Sequence, residues 1–203
     1  MNIERMMDII AENEGGKNWS AWNPDDKGKG ISFGRWQFNQ IAGGLCSLLK
    51  RMHRADPVLF VECFGEQASL MLEHSKLKQM DLTKAGWRFR FTQASGQIVF
   101  QACQVAEVVD SYVEPAARMC KDRGLLSWLW LALLTDTCIQ YGVGGCKRII
   151  EEAMSNPGID GLMDTFAELA DADQYNRRRK LLAHPELADR SAFMWDNERW
   201  GSL

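Results

Sequence analysis

Residues 11–40 read AENEGGKNWSAWNPDDKGKGISFGRWQFNQ, and this stretch carries most of the information about the fold. It contains three tryptophans and five glycines, and it follows a segment whose apolar side chains recur at helical spacing. Gly15 and Gly16 are expected to end that first helix, because glycine is common where helices stop. The rest of the stretch is rich in turn-forming residues and then in alternating apolar ones, which predicts a short β-hairpin.

The remainder of the chain favours helices. Apolar side chains recur at helical spacing along it, and the run 125–134 is apolar nearly all round, which predicts a central buried helix. Pro115 is expected to kink or split the helix around it. The predicted fold class is therefore mainly α (α+β), with residues 1–203 forming a single domain; two lobes divided near residues 75–96 are the alternative. The segments predicted to be helical are 43–56, 57–74, 93–121, 124–142, 145–155, 159–170 and 172–183.

Composition excludes several classes of function. The chain has 203 residues, 46% of them hydrophobic and 25% charged, with a formal net charge of −3, so no basic field predicts nucleic acid as a partner. The longest apolar run spans about half of a membrane crossing, so stable membrane insertion is not expected. The N-terminus makes a poor signal peptide, which predicts synthesis in the cytoplasm. Six cysteines without close pairs predict buried reduced thiols, and no spacing predicts a metal site or another cofactor.

The acidic residues of the opening stretch fit the cleavage of a glycosidic bond. Such cleavage needs a proton donor at the leaving oxygen and a second carboxylate for the water or the developing charge. Glu14 follows an apolar helix, and Trp19 and Trp22 are near in sequence to shield it, which keeps a carboxyl protonated near neutral pH. Asp25 and Asp26 lie in a turn that could fold back over it, and either could be the second carboxylate.

Each feature also has an ordinary explanation. A glutamate at a helix end is usually solvated, an Asp-Asp pair is common turn chemistry, and single tryptophans are usually core residues. The basic run 177–180 is interpreted as the solvated face of a helix. A cysteine hydrolase is a further class, but every cysteine lies in an apolar helical context that favours inert burial. The joint occurrence of these features within 30 residues favours the glycosidase interpretation.

The stretch resembles the active-site region of the lysozyme-like superfamily of glycoside hydrolases. Phage-type muramidases carry a similar Glu-Gly-Gly followed by an Asp-rich turn, and goose-type lysozymes share the layout Glu, Asp-x-Gly-x-Gly and Phe-Gly-x-x-Gln. In this chain that layout corresponds to Glu14, 26–30 and 33–37. Residues 112–145 are similar to the middle of chitosanase-like enzymes. The resemblance implies a lysozyme-like helical domain with a small β-hairpin lining the active-site cleft, and any second lobe would lie across that cleft.

The resemblance also implies roles for individual residues. It makes Glu14 the general acid, Asp26 the second carboxylate with Asp25 as the alternative in register, and Ser32 a group that helps to hold the attacking water. This chain departs from the family patterns at two positions that concern the catalytic base. Asn39 stands where goose-type enzymes use another aspartate, and Lys27 stands where the chitosanase pattern has its acidic residue. The candidate substrate-binding residues are Trp19, Trp22, Lys29, Gly34, Gln37 and Asn39.

Local charge favours one polymer over another. Lys17, Lys27, Lys29 and Arg35 surround the proposed cleft, and they would repel cationic chitosan but attract the free carboxylates of peptidoglycan. The sequence therefore predicts a bacteriolytic, peptidoglycan-degrading hydrolase of the muramidase type, delivered to the cell wall as a phage endolysin or an antibacterial effector. An inhibitor (immunity) protein or delivery machinery would be its other partner. The alternatives are a lytic transglycosylase, a chitosanase-like hydrolase and a non-enzymatic glycan-binding module of the same fold.

Overall fold

A computed structural model describes residues 1–13, 16–26, 28–84, 86–156, 161–169 and 171–188. Helices dominate these residues, and three short strands form one antiparallel sheet, so the predicted mainly α (α+β) class is confirmed. The strands are β1 (Trp22–Asn23), β2 (Ser32–Phe33) and β3 (Phe38–Asn39). The helices are α1 (Ile3–Ala11), α2 (Gly44–Ala55), α3 (Pro57–Phe64), α4 (Ala68–Met71), α5 (His74–Leu77), α6 (Trp87–Ser95), α7 (Ile98–Val108), α8 (Glu114–Asp122), α9 (Trp128–Ser155), α10 (Leu162–Glu168), α11 (Ala172–Ala183) and α12 (Pro185–Ala188).

The chain divides into two compact units. One comprises the described residues of Met1–Asn13 and Val109–Leu203, and the other comprises those of Glu14–Val108. Residues 75–96, where the sequence indicated a boundary, lie inside the second unit. No described helix has both the length and the apolar character that a membrane span requires.

In the first unit, α1 forms where its sequence predicts a helix, but it ends at Ala11 rather than at Gly15 and Gly16. The side chain of Asn2 accepts a hydrogen bond from the backbone N–H of Arg5 at 2.8 Å, which caps the helix at its N-terminus. The helix buries a stripe of apolar side chains, and it packs against α9. These stripe residues are Ile3, Met6, Met7, Ile9, Ile10 and Ala11.

The long helix α9 is the core of the first unit. Ser127 caps it by accepting from the backbone N–H of Trp130, and a nearly continuous run of side chains from Leu129 to Cys138 is buried. The two helices predicted here are joined, with an interruption at Gly142, whose φ of 70° and ψ of 165° favour glycine. Ahead of α8, the segment Val109–Val113 is π-helical. The interruption that the sequence predicted around Pro115 therefore lies just before that residue.

The prediction that residues 177–180 form a solvated helix face is wrong for two of the four cations. Arg177 on α11 pairs with the fully buried Asp136, with 2.5 Å between Nη2 and Oδ1, and also donates from Nη1 to the carbonyl of Asn13 at 2.9 Å. Arg178 is fully buried, and its guanidinium lies 4.4 Å from the ring centroid of Phe166. Burial raises the pKa of Asp136, while the charge and hydrogen bond of Arg177 oppose that rise. Because α11 packs against both α9 and α10, one side of this basic run faces the interior.

The second unit is held together by α2, α7 and an aromatic cluster. Arg51 on α2 and the buried Glu107 on α7 form an ion pair with 2.9 Å between Nε and Oε2. Phe91 on α6 lies at the centre of the cluster, with ring centroids 4.7 Å from Phe33 and 5.1 Å from Phe64. This packing fixes the sheet against the helices of the same unit.

Candidate active site

The sheet aligns two polar side chains. Ser32 on β2 pairs in register with Asn39 on β3, and Phe33 pairs with Phe38. Because successive side chains of a strand point to opposite faces, the two polar residues share one face and the two phenylalanines share the other. Both phenylalanines are buried in the core, and their burial therefore places the polar pair on the opposite face of the sheet.

Asp26 lies in the turn between β1 and β2, and its carboxylate joins this polar pair. Its backbone N–H donates to the carbonyl of Gly30 at 2.9 Å, which closes the turn. Ser32 donates from Oγ to Oδ2 of Asp26 at 2.6 Å, and Asn39 donates from Nδ2 to the same oxygen at 3.1 Å. The structure therefore brings Asp26, Ser32 and Asn39 into direct contact.

Asp25 occupies a different position. It is exposed, and its Oδ1 accepts from the backbone N–H of Gly28 at 2.8 Å, while its own N–H donates to Oδ1 of Asn23 at 3.3 Å. Asp25 thus stabilises the turn in the manner typical of an aspartate there. Of the two neighbouring aspartates, Asp26 is the one whose carboxylate contacts the polar pair.

Two glutamines that the sequence analysis did not select hold the hairpin. Gln104 on α7 is fully buried; its Oε1 accepts from the backbone N–H of Arg35 at 3.0 Å, and its Nε2 donates to the carbonyl of Trp19 at 3.0 Å. The sequence offered no signal for Gln104, because the buried side of this helix, which also carries Phe100 and Glu107, could not be told from the side that carries the exposed Ile98. Gly34 lies directly against it: φ is 84°, and a Cβ at this position would stand 2.5 Å from Oε1 of Gln104.

Gln40 plays a similar part at the other end of the hairpin. Its Oε1 accepts from the backbone N–H of Ile31 at 3.1 Å, and its Nε2 donates to the carbonyls of Leu77 and Met80 at 2.7 and 2.9 Å. Gly30, with a φ of 72°, packs against this side chain as Gly34 packs against Gln104. The conformation of the loop is therefore set by buried amides as well as by glycine.

Replacing Gly34 with alanine is expected to destabilise the protein by about 1–3 kcal/mol. Alanine at this position would be held in an unfavourable left-handed backbone conformation. Its Cβ would press on the buried amide of Gln104, which has two backbone hydrogen-bond partners. Gly28→Ala is the matched control, because Gly28 also has a positive φ, of 75°, but has nothing within 4 Å of the added Cβ. Chemical denaturation of both variants measures the difference; equal losses would contradict a role for the Gln104 contact.

Arg35 is not a cation of the site surface, so that part of the sequence interpretation is wrong. It is 8% exposed, and its Cζ lies 5.3 Å from the ring centroid of Trp19 and 5.2 Å from that of the buried Trp36. Its Nε donates to the carbonyl of Gly16 at 2.9 Å. The guanidinium is held between two indoles, and cation–π attraction offsets part of the cost of removing it from water. Lys17 remains exposed in this loop.

The other proposed substrate-binding residues lie near the hairpin. Trp19 and Trp22 are half-buried, and the centroid of the Trp22 ring lies 5.3 Å from that of Phe91. Each indole therefore packs partly against the protein and is partly exposed to solvent. Gln37 adopts a φ of 52° and donates from Nε2 to the carbonyl of Gly34 at 3.0 Å, which stabilises the turn before β3. Lys29 is exposed. Glu14 and Lys27 lie outside the described residues.

A cysteine nucleophile finds no support in the structure. All six cysteines are buried free thiols. Burial raises the pKa of Cys120 to about 12, and it raises those of Cys46, Cys63 and Cys103 as well. A reactive thiol needs the opposite shift, since the thiolate is the nucleophile.

The fold is shared with solved structures of chitosanases. A family 46 chitosanase from Gynuella sunshinyii, in complex with chitotetraose, matches with a TM-score of 0.71 and 19% identity over 97% of this chain and 99% of that one. A chitosanase mutant from Bacillus subtilis, in complex with six glucosamine units, matches with a TM-score of 0.66 and 20% identity over 89% of this chain and 82% of that one. No protein-family model matches the sequence, and no curated protein matches it significantly. The lysozyme-like fold that the sequence predicted is thereby confirmed.

Proposed function

We propose that this protein is a glycoside hydrolase that cleaves the β-1,4-linked glycan backbone of peptidoglycan. The observation that carries the proposal is the contact of the Asp26 carboxylate with Ser32 and Asn39 on the hairpin of a lysozyme-like fold. The resemblance of the opening stretch supplies the second catalytic group, Glu14. A purely glycan-binding module would not need a carboxylate oriented by two donors.

The proposed reaction assigns each carboxylate one task. Glu14 donates its proton to the glycosidic oxygen as the bond from that oxygen to the anomeric carbon breaks. Asp26 accepts a proton from water as the water oxygen bonds to the same carbon. Oδ2 of Asp26 is occupied by Ser32 and Asn39, so Oδ1 is the oxygen available to that water. Ser32 is fully buried and directs its hydroxyl hydrogen at Asp26, so it acts on the water through the carboxylate.

The charges of the opening loop support peptidoglycan as the polymer. Lys17 and Lys29 are exposed. Arg35 is buried between indoles, so it contributes less positive charge to the surface of the loop than the sequence indicated. Exposed ammonium groups attract the free carboxylates of the peptides in peptidoglycan, and they repel the protonated amines of chitosan. The site of action would then be the cell wall, and delivery there by a phage or a secretion machinery is part of the proposal.

Chitosan hydrolysis is the second candidate. The observation that favours it is the likeness of the whole fold to chitosanases, two of which hold glucosamine oligosaccharides. Chitosan and peptidoglycan share a β-1,4-linked backbone of amino sugars, so one arrangement of carboxylates could serve either polymer. The two candidates differ in the charge of the polymer rather than in the bond cleaved.

Digestion of purified peptidoglycan and of chitosan, side by side, separates the candidates. Peptidoglycan is expected to be cleaved at least about tenfold faster, and added salt is expected to slow that reaction by screening the lysines. Mass analysis of the fragments should show reducing ends formed by addition of water. Faster cleavage of chitosan would favour the second candidate, and anhydro ends would identify a lytic transglycosylase. Binding of peptidoglycan without cleavage would favour the alternative of a non-enzymatic glycan-binding module.

A further inference from the structure

The side-chain amide of Asn39 is held at both ends by protein groups. Its Oδ1 accepts from the backbone N–H groups of Ile41 and Ala42, at 2.9 and 2.8 Å. Its Nδ2 donates to Oδ2 of Asp26 and to Oγ of Ser32, both at 3.1 Å. Two N–H donors on one side fix the carbonyl oxygen there, so the NH₂ group must face the carboxylate.

We infer that Asn39 is a positioning residue for Asp26, and not a ligand of the substrate; this inference rests on the proposed function. One hydrogen of its NH₂ group is shared between Oδ2 of Asp26 and Oγ of Ser32, which lie 2.6 Å apart. Together with the Ser32 hydroxyl, the amide gives Oδ2 of Asp26 two donors, which fixes the rotation of the carboxylate. The remaining oxygen, Oδ1, then points in a defined direction for a water molecule.

The backbone explains why an asparagine can perform this task from β3. The register that pairs Ser32 with Asn39 places the amide beside the hydroxyl, and a slip of one residue would move it to the opposite face. The turn that sets this register is held by Gln37 and by the buried contact of Gly34. An aspartate at position 39 could cap the same loop, but it would place a second negative charge against Asp26.

Asn39→Asp tests the inference with a minimal change. The variant keeps the oxygen that accepts from Ile41 and Ala42; it removes the NH₂ donor and adds a negative charge beside Asp26. On soluble peptidoglycan fragments, kcat is expected to fall about 10- to 100-fold, because a misplaced catalytic group loses this much rate, while KM stays within about twofold. A rise in KM with kcat unchanged would overturn the inference in favour of substrate binding.

Asn18→Asp is the matched control. Asn18 caps its own turn through Oδ1, which accepts from the backbone N–H of Ser20 at 2.9 Å, and it is exposed. The substitution makes the same chemical change in the same unit without touching Asp26, so kcat is expected to stay at the wild-type value. An equal loss of kcat in both variants would mean that added negative charge alone is responsible, which would also overturn the inference.

A charge swap provides an independent readout. Asp26→Asn combined with Asn39→Asp restores one amide and one carboxylate to the pair, so Tm is expected to recover relative to Asn39→Asp alone. Activity is expected to stay at the level of Asp26→Asn, because the carboxylate would stand at the wrong position. Additive losses of Tm in the double variant would contradict the contact between the two side chains.

The same variants distinguish failure of the inference from failure of the proposed function. If the wild type cleaves the glycan but Asn39→Asp is as active as the wild type, the inference alone falls. If the wild type cleaves neither polymer, the proposed function falls, and the charge swap still decides through Tm whether Asn39 holds Asp26. Coupled Tm values would then support the contact, and additive values would overturn it.

Discussion

Glu14→Gln is expected to lower the rate of glycan cleavage on the order of 10³-fold. Glutamine keeps the size and hydrogen-bonding capacity of the side chain, but it has no proton to give to the leaving oxygen. The sugar oxygen would then leave as an unprotonated alkoxide, which raises the barrier to cleavage. Release of reducing ends from purified peptidoglycan measures the loss, and binding to the insoluble polymer should persist.

Glu12→Gln is the control for that prediction. Glu12 is exposed and lies just beyond the end of α1, and no proton transfer is assigned to it. The chain is fixed on both sides of position 14: Arg177 donates to the carbonyl of Asn13, and Arg35 donates to that of Gly16. If Glu14→Gln cleared cell walls at the wild-type rate, Glu14 would not be the acid, and the function proposed for this site would have to be abandoned.

Much of the fold could be predicted because its signals are local. The apolar stripe of α1 and the turn residues before β2 depend on neighbours within a few positions, and both elements appear where they were expected. The division of the chain could not be predicted in the same way. One boundary, between Asn13 and Glu14, lies beside the Gly15-Gly16 break, but the other falls between Val108 and Val109, where a helical pattern continues without glycine. Only contacts between distant segments define that second boundary.

The supporting residues of the candidate site show the same limit. Gln104 lies 69 positions from its partner Arg35, and no spacing rule joins a glutamine on a helix to a loop that far away. Arg35 itself looked like a surface cation, because the sequence does not show that Trp19 and Trp36 enclose it. Residue type predicted the presence of charge, and tertiary packing decided whether that charge reached solvent.

The choice between the two aspartates depended on the turn. Asp25 and Asp26 are adjacent and chemically identical, so composition and spacing could not separate them. The hydrogen bond from the backbone of Asp26 to Gly30 closes the turn and directs its side chain towards Ser32, while Asp25 is used to cap the same turn. A one-residue difference in register thus becomes a difference between two kinds of role.

Asp26→Asn is therefore expected to lower kcat about 10²-fold or more, because an amide cannot accept the proton of the attacking water. The substitution is nearly isosteric, and its Oδ1 or Nδ2 can still bond to one member of the polar pair, so the fold should remain intact. Measurement of kcat on peptidoglycan fragments, with Tm recorded for each variant, separates loss of chemistry from loss of structure.

Asp25→Asn is the matched control, since it makes the same change one residue earlier. Asparagine keeps an oxygen to accept from the backbone N–H of Gly28, so the turn should persist and kcat should stay within about twofold of the wild type. The contrast between the two variants tests the register directly, because both make the same change of charge and size in the same turn and differ only by one position. Equal losses would show that the turn as a whole matters rather than the carboxylate that contacts Ser32. A larger loss for Asp25→Asn would transfer the role of base to the exposed aspartate, and the contacts of Asp26 would then be structural.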